Sequence, residues 1–209
     1  MKEKVTELVF VLDRSGSMSG LESDTIGGFN GLIEKQKKEG QEVYVTTVLF
    51  DDKYELLHDH IKIDNVRPLT QDEYYVRGCT ALIDALGKTI NKMKNIARCE
   101  DCRVMFIITT DGLENASKEY SGYQVKKLIS QLTESGWEFI FMGANIDAVK
   151  TAGDYGIRPE RTVNFINDDI GIKKNYEAMS KMVTRFAKKE EFDESDLEEI
   201  RRDYKTRKH

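Results

Sequence analysis

Three oxygen-bearing side chains stand at alternate positions directly after the first apolar run of the chain. That run covers residues 7–12, and it leads into the segment Asp13-Arg14-Ser15-Gly16-Ser17. Carboxylate and hydroxyl oxygens, with no histidine or cysteine among them, favour a hard cation such as Mg²⁺ or Mn²⁺ over zinc or copper. The spacing therefore predicts a metal site at the end of a strand.

Two residues from distant parts of the chain could complete this site. Thr80 lies in the loop before a long helical pattern, and Asp111 follows the apolar run at residues 103–108. Ligands of open parallel sheets bind beyond the carboxyl ends of the strands, so these segments can converge at one edge. Asp13 and Asp111 neutralise a divalent cation without closing its coordination sphere. We therefore expect Mg²⁺, with Mn²⁺ also possible and Ca²⁺, which usually takes more carboxylates, disfavoured.

The elements that must position these residues follow from hydrophobic periodicity. Apolar runs at residues 7–12, 43–50, 103–108 and 137–142, and a weaker one at 162–166, alternate with amphipathic helical patterns. Residues 54–63 follow the second run after a tight turn, which predicts a hairpin and an antiparallel edge strand. The fold class predicted is therefore α/β, a doubly wound, mostly parallel sheet with one antiparallel edge strand and helices on both faces.

The length of 209 residues favours one domain over two, because a typical domain has about 150 residues. We predict that this domain covers residues 1–188 and that residues 189–209 form a charged C-terminal tail or a short helix. Leu197, Ile200 and Tyr204 share one helical stripe, so a helix that docks on a partner is the alternative interpretation. A solvated or frayed tail is the favoured interpretation, since terminal segments are commonly poorly ordered.

Charge and composition exclude several classes of partner. The formal net charge is −5, from 37 acidic and 32 basic residues, which argues against a dedicated nucleic-acid binder. No apolar run approaches the roughly 20 residues of a membrane helix, and the first residues lack a signal-peptide pattern. We therefore expect a cytoplasmic protein that binds neither nucleic acid nor membrane. The three cysteines are expected to be free thiols, as is usual in a reducing compartment.

The five candidate ligands resemble a known motif. The pattern D-x-S-x-S, then a threonine, then an aspartate after a later strand is the metal-ion-dependent adhesion site of the von Willebrand factor type A (VWA) family. Residues 5–188 resemble that family, in particular its small intracellular bacterial and phage members with a helix start like Ile26-Gly27-Gly28-Phe29-Asn30. One departure is Cys79, where many members have glycine, and we expect the bulkier residue to restrict movement of the Thr80 loop.

The resemblance implies that some of the five residues bind the metal directly and others through water. Ser15, Ser17 and Thr80 would contact the metal directly, while Asp13 and Asp111 would act largely through water. An aspartate or glutamate of a partner protein would complete the octahedron. The partner is unidentified, and a ring-forming ATPase is one possibility, because intracellular members often work beside such enzymes.

Two functions remain open at this stage. The first is a Mg²⁺-dependent protein-binding module that is not an enzyme. The alternative is a Mg²⁺-dependent phosphotransfer enzyme or phosphatase of the haloacid dehalogenase type, suggested by an aspartate at the end of the first strand. Such a phosphatase needs a second aspartate two residues after the nucleophile, and Ser15 occupies that position. The binding module is therefore favoured.

Other polar residues have weaker signals. Four are candidates for the rim on which a partner is selected: Arg14, Asp51, Glu114 and Asn115. For Asp51 and its neighbour Asp52 a hairpin turn is the favoured interpretation. His58 and His60 are interpreted as exposed, solubilising residues of an edge strand. Cys99 and Cys102 have C-x-x-C spacing but no second pair, so they are interpreted as incidental thiols.

Overall fold

The computed structural model describes residues 5–97, 102–144, 146–166, 168–190 and 195–207. Six strands are present in this part of the chain: β1 (Val5–Asp13), β2 (Val43–Phe50), β3 (Tyr54–Lys62), β4 (Cys102–Thr110), β5 (Glu138–Ala144) and β6 (Thr162–Phe165). The α-helices are α1 (Glu22–Glu39), α2 (Leu82–Ile96), α3 (Gly122–Glu134), α4 (Ala148–Asp154), α5 (Asp169–Ala187) and α6 (Ser195–Arg207).

The strands form one sheet in the order β3-β2-β1-β4-β5-β6. Strand β3 pairs antiparallel with β2, and the other neighbours are parallel, which confirms the predicted fold class. Strand order reverses at β1, which lies between β2 and β4. Because ligand crevices form at such reversals, the carboxyl ends of β1 and β4 are where a site is expected. Leu12 pairs with Thr109 there, so Asp13 and Asp111 leave adjacent strands at the same edge.

Alternate residues of β1 enter two separate apolar layers. Leu8, Phe10 and Leu12 pack in the layer that contains α1, α5 and α6. Val9 and Val11 pack in the layer that contains α2, α3 and α4. A strand covered on both faces must be continuously apolar, which explains the uninterrupted run in the sequence.

Helix α1 is fixed at its end and along its side by two glycines. Gly40 adopts a left-handed conformation with φ 69° and ends the helix, as its position after the basic last turn predicts. Gly28 lies under the ring of Tyr176 on α5, where an added Cβ would be 2.1 Å from a ring carbon. A side chain at position 28 would therefore push α1 and α5 apart.

Strand β3 departs from the predicted regular alternation. The register with β2 shifts on both sides of Thr47, so His58 and His60 do not lie on one exposed side. His58 is buried, its Nδ1 lies 3.0 Å from Thr47 Oγ1, and its ring stacks on Phe29. The expectation of an exposed His58 is therefore wrong, because the irregular register turns its ring into the core.

Helix α6 packs against α5 and β6. Leu197 and Ile200 are buried in the same apolar layer as α1 and α5, and Tyr204 is half-buried. The stripe thus packs within this chain, so neither a solvated tail nor docking on a partner describes Leu197 and Ile200. The domain limit at residue 188 stays a prediction.

The cysteines differ from the expectation of free thiols in one case. Cys79 is free and exposed, whereas Cys102 is disulfide-bonded. The expectation is therefore wrong for Cys102, and Cys99 lies outside the described residues. Among the helices of the described ranges, none combines the length and the apolar character that a membrane crossing requires.

Candidate metal centre

Four of the five predicted ligands form one hydrogen-bonded cluster at the carboxyl end of the sheet. Ser15 Oγ lies 3.1 Å from Ser17 Oγ and accepts a hydrogen bond of 3.1 Å from Thr80 Oγ1. Ser17 Oγ donates to Asp111 Oδ1 at 2.5 Å. Ser15, Thr80 and Asp111 are buried, while Ser17 is exposed, so the cluster opens to solvent on the Ser17 side. The structure therefore brings together oxygens from three loops.

Asp13, the fifth predicted ligand, faces the base of the cluster. Its Oδ1 accepts from the Ser15 amide at 2.7 Å, and its Oδ2 accepts from Thr110 Oγ1 at 2.5 Å. Burial raises the pKa of Asp13 to about 6, although the hydrogen bonds from Thr110 and Ser15 oppose that rise. Asp13 thus holds the turn that presents Ser15. Thr110, next to Asp111, was not predicted as a site residue.

Gly112 closes the cluster from the side of β4. An added Cβ there would lie 2.6 Å from Thr80 Oγ1, 3.3 Å from Ser17 Oγ and 3.5 Å from Ser15 Oγ. The three hydroxyls therefore form a small concave cradle that a methyl group would fill. Hydroxyl and carboxylate oxygens are the donors that a hard cation takes, so the residues fit a bound Mg²⁺ or Mn²⁺ ion.

No group of three or more His, Cys, Asp or Glu side chains in the described part of the chain could hold a metal ion. The cradle has only one side chain of those types, Asp111, because its other three members carry hydroxyls. The D-x-S-x-S spacing is the signal that finds it.

The loop after β4 fixes the position of Thr80. Asn115 Oδ1 accepts from the Thr80 amide at 2.9 Å, and the amide of Asn115 donates back to the Thr80 carbonyl at 3.0 Å. Both carboxylate oxygens of Glu114 accept hydrogen bonds, including one of 2.8 Å from the Ile83 amide at the start of α2. Glu114 and Asn115, two of the four residues predicted for the rim, therefore hold this loop to Thr80 and α2. Of these two, Asn115 is exposed and Glu114 is half-buried.

Arg14 and Asp51 do not lie on a rim, and the prediction that they face a partner is wrong. Both are 0% exposed. Arg14 Nε lies 3.1 Å from Asp51 Oδ2, and Arg14 Nη2 lies 2.6 Å from Glu55. The physical reason is the alternation in this segment, since the residues on either side of Arg14 face the cradle and Arg14 itself turns inward.

Tyr74 contacts the backbone that carries the cradle, and it was not predicted as a site residue from the sequence. Its hydroxyl donates to the Asp13 carbonyl at 2.6 Å, and the residue is 1% exposed. Gly78, in the same connection, has φ 67° and accepts at its carbonyl from the Gly16 amide at 3.2 Å. A tyrosine in an irregular loop has no periodicity or spacing that would predict such a contact.

No protein-family model and no curated protein matches the sequence. Solved structures do match the fold. The proximal thread matrix protein 1 of the mussel byssus, in a structure with zinc at its MIDAS motif (the metal-ion-dependent adhesion site), aligns over 87% of this chain. The TM-score is 0.61 and the sequence identity 18%. The fold is that of a von Willebrand factor type A domain.

Two further structures share this VWA-like fold. The pilus adhesin SpaC of Lactobacillus rhamnosus GG, in an open conformation, aligns over 89% of this chain with a TM-score of 0.70 and 14% identity. The manganese-loaded TRAP protein of Plasmodium vivax aligns over 83% with a TM-score of 0.56 and 17% identity. This chain spans 46% of the mussel protein, 31% of SpaC and 73% of TRAP.

Proposed function

We propose that this VWA-type domain is a divalent-metal-dependent protein-binding module. The observation that carries the proposal is the hydrogen-bonded cluster of Ser15, Ser17, Thr80 and Asp111, with hydroxyl contacts of 3.1 Å and the Gly112 backbone against the three hydroxyls. In this proposal the three hydroxyls coordinate the ion directly. Asp111, with Asp13 behind the cluster, acts largely through water and supplies the negative charge.

The bound ion would supply a Lewis-acidic position for a carboxylate of another protein. Two aspartates balance its charge but do not close its coordination sphere, so an anionic oxygen from outside is favourable. The cradle is open at Ser17, and the neighbouring Leu113 is 64% exposed. An aspartate or glutamate at the tip of a partner can therefore reach the cradle.

Mg²⁺ is the ion that we propose, with Mn²⁺ as a close substitute. The described cradle residues offer only oxygens, and zinc generally prefers nitrogen and sulfur ligands. The zinc in the mussel protein and the manganese in TRAP are properties of those structures. Their relevance here is that related folds hold divalent ions.

We also propose that the protein acts by binding and not by catalysis. A phosphatase of the haloacid dehalogenase type would need a carboxylate where Ser15 stands. Asp13 has both oxygens engaged by Ser15 and Thr110, which leaves it poorly placed to attack a phosphate. A phosphoesterase assay with Mg²⁺ is expected to show no turnover that depends on Asp13.

A cytoplasmic location in a bacterial or phage setting, and a ring-forming ATPase as the partner, are further parts of the proposal. They come from the resemblance of the D-x-S-x-S segment and helix start to intracellular VWA proteins. Neither nucleic acid nor membrane is proposed as a partner, given the net charge of −5.

Partner capture tests the metal bridge. Immobilised protein is incubated with cell extract in Mg²⁺, in EDTA and as the Asp13→Ala variant in Mg²⁺. We expect a set of proteins retained only by the wild type in Mg²⁺. Asp64→Ala is the matched control, because Asp64 is an exposed aspartate beyond β3 and should leave capture unchanged. Equal capture in Mg²⁺, in EDTA and by Asp13→Ala would overturn the mechanism.

A further inference from the structure

A buried ionic network lies directly beneath the hydroxyl cradle. Asp51 Oδ2 accepts from two guanidinium groups, Arg14 Nε at 3.1 Å and Arg77 Nε at 2.7 Å. Arg14 also donates through Nη2 to Glu55 at 2.6 Å and through Nη1 to the Glu73 carbonyl at 2.9 Å. Every terminal nitrogen of the Arg14 guanidinium therefore has a partner, and the side chain is fully buried.

The same residues join the backbones of three loops. The Arg14 amide donates to the Phe50 carbonyl at 2.8 Å, and the Arg77 amide donates to the Arg14 carbonyl at 2.9 Å. The Ala81 amide, next to Thr80, donates to the Asp51 carbonyl at 2.8 Å. The D-x-S-x-S loop, the β2–β3 turn and the Thr80 loop are thus held to one another around Asp51.

The charges in this network are strongly interdependent. Burial opposes ionisation of Asp51, but hydrogen bonds from Arg77 and the Lys53 amide, with the charges of both arginines, hold its pKa below its ordinary value. Removing one partner of a buried ion pair leaves an uncompensated charge, so the remaining groups must move or take up water. A change at Arg14 therefore displaces the loops that carry the cradle.

We propose that Arg14, with Asp51 and Arg77, is a positioning device that sets the distance of Thr80 from Ser15 and Ser17 and thereby the affinity for the divalent ion. This inference rests on the proposed metal-binding function. Arg14 stands between two candidate ligands in sequence but points away from them, so it acts through the loops and does not touch the ion. Arg77, whose side chain is 33% exposed, closes the network from the Thr80 side.

Mn²⁺ binding measured by electron paramagnetic resonance tests the proposal, because free and bound Mn²⁺ have distinct spectra. The variants are Arg14→Met, which replaces the aliphatic part of the side chain but removes the guanidinium charge, and Arg77→Met, a milder change at a partly exposed position. Arg161→Met is the matched control, since Arg161 pairs with Glu138 at 2.7 Å at the opposite end of the sheet. Far-UV circular dichroism and urea unfolding report the fold of each protein.

We expect Arg14→Met to weaken Mn²⁺ binding at least 10-fold, Arg77→Met to weaken it about 3-fold or more, and Arg161→Met to change it less than 2-fold. Hydrogen exchange of the Gly16 and Arg77 amides should accelerate in Arg14→Met without metal, because both bond across the loops. If Arg14→Met does not fold, Arg77→Met decides the result.

Two different failures can be told apart. Wild-type affinity in folded Arg14→Met and Arg77→Met would overturn the positioning role and leave the proposed function intact. A wild-type protein that binds no Mn²⁺ would overturn the proposed function and this inference with it. A similar loss of affinity in Arg161→Met would also overturn the proposal, because it would show a general effect of destabilisation.

Discussion

Two aspartates of this protein each hold two cationic side chains, but in different surroundings. Asp51, beneath the cradle, pairs with Arg14 and Arg77, and both Asp51 and Arg14 have side chains that are 0% exposed. Asp203, on α6, pairs with Lys174 at 2.5 Å and Arg207 at 2.6 Å, whose side chains are 33% and 26% exposed. Each aspartate therefore contacts two cations, but water reaches both partners of Asp203 and does not reach Arg14.

The two networks have different roles because their side chains differ in exposure to solvent. Water can replace either partner of Asp203, so that network contributes modestly while Leu197 and Ile200 provide the apolar burial that docks α6. At Asp51, water is excluded from the Arg14–Asp51 pair itself, and the other ionic partner of Arg14 is Glu55, whose side chain is 44% exposed. Such a network is a costly way to stabilise a fold, but it fixes the loops around it in one arrangement.

Asp51→Ala is expected to have the largest effect on stability. Removing the carboxylate leaves the buried Arg14 charge without its buried counter-ion and with the partly exposed Glu55 as its remaining ionic partner, and breaking a buried pair typically costs about 3–5 kcal/mol. Urea unfolding at neutral pH measures the change in the free energy of unfolding. A loss below about 1 kcal/mol would contradict the view that this network is buried and interdependent.

Asp203→Ala is expected to cost only about 1 kcal/mol or less in the same measurement, as for partly exposed ion pairs. The hydrogen bond from Arg207, together with Lys174, holds the pKa of Asp203 below its ordinary value of 3.8, although burial opposes this. Because the folded-state pKa is the lower one, the contribution is complete above pH 3.8 and is lost as the pH falls below it.

Hydrogen exchange of α6 amides between pH 5 and pH 3 gives this second prediction an independent readout, after correction for the intrinsic exchange rate. Protection of α6 in the wild type should decline below about pH 4, and Asp203→Ala should start lower and respond less to pH. An α6 whose protection is equal in both proteins at every pH would show that the ion pairs play no part in docking.

Much of the fold and of the site follows from the sequence for identifiable reasons. Strand β1 is apolar throughout because helices cover both of its faces, and this makes it readable as a buried strand. The D-x-S-x-S segment, Thr80 and Asp111 are recognisable by residue type and by their place after strands or before a helix. The edge strand β3 follows from its short connection to β2.

The errors have a common cause, which is that side-chain direction in irregular segments depends on distant contacts. Arg14 is predicted as a rim residue from its place inside the D-x-S-x-S segment, yet its ionic partners Asp51 and Glu55 come from a distant part of the chain. His58 points into the core because the pairing of β3 with β2 shifts in register, and the residue types near His58 do not predict that shift. The apolar stripe on α6 can be recognised in the sequence. Its packing on this chain cannot, because it depends on an apolar surface that α5 and β6 form only in the folded protein.

Calorimetric titration of the protein with MgCl₂ measures whether the hydroxyl cradle binds a divalent ion. We expect saturable binding of one ion per chain to the wild type and loss of that binding in Thr80→Ala, with Thr70→Ala as a control for an exposed loop threonine. Loss in Thr80→Ala alone would place the ion at the cradle. Absence of binding to the wild type, or undiminished binding to Thr80→Ala, would contradict the account.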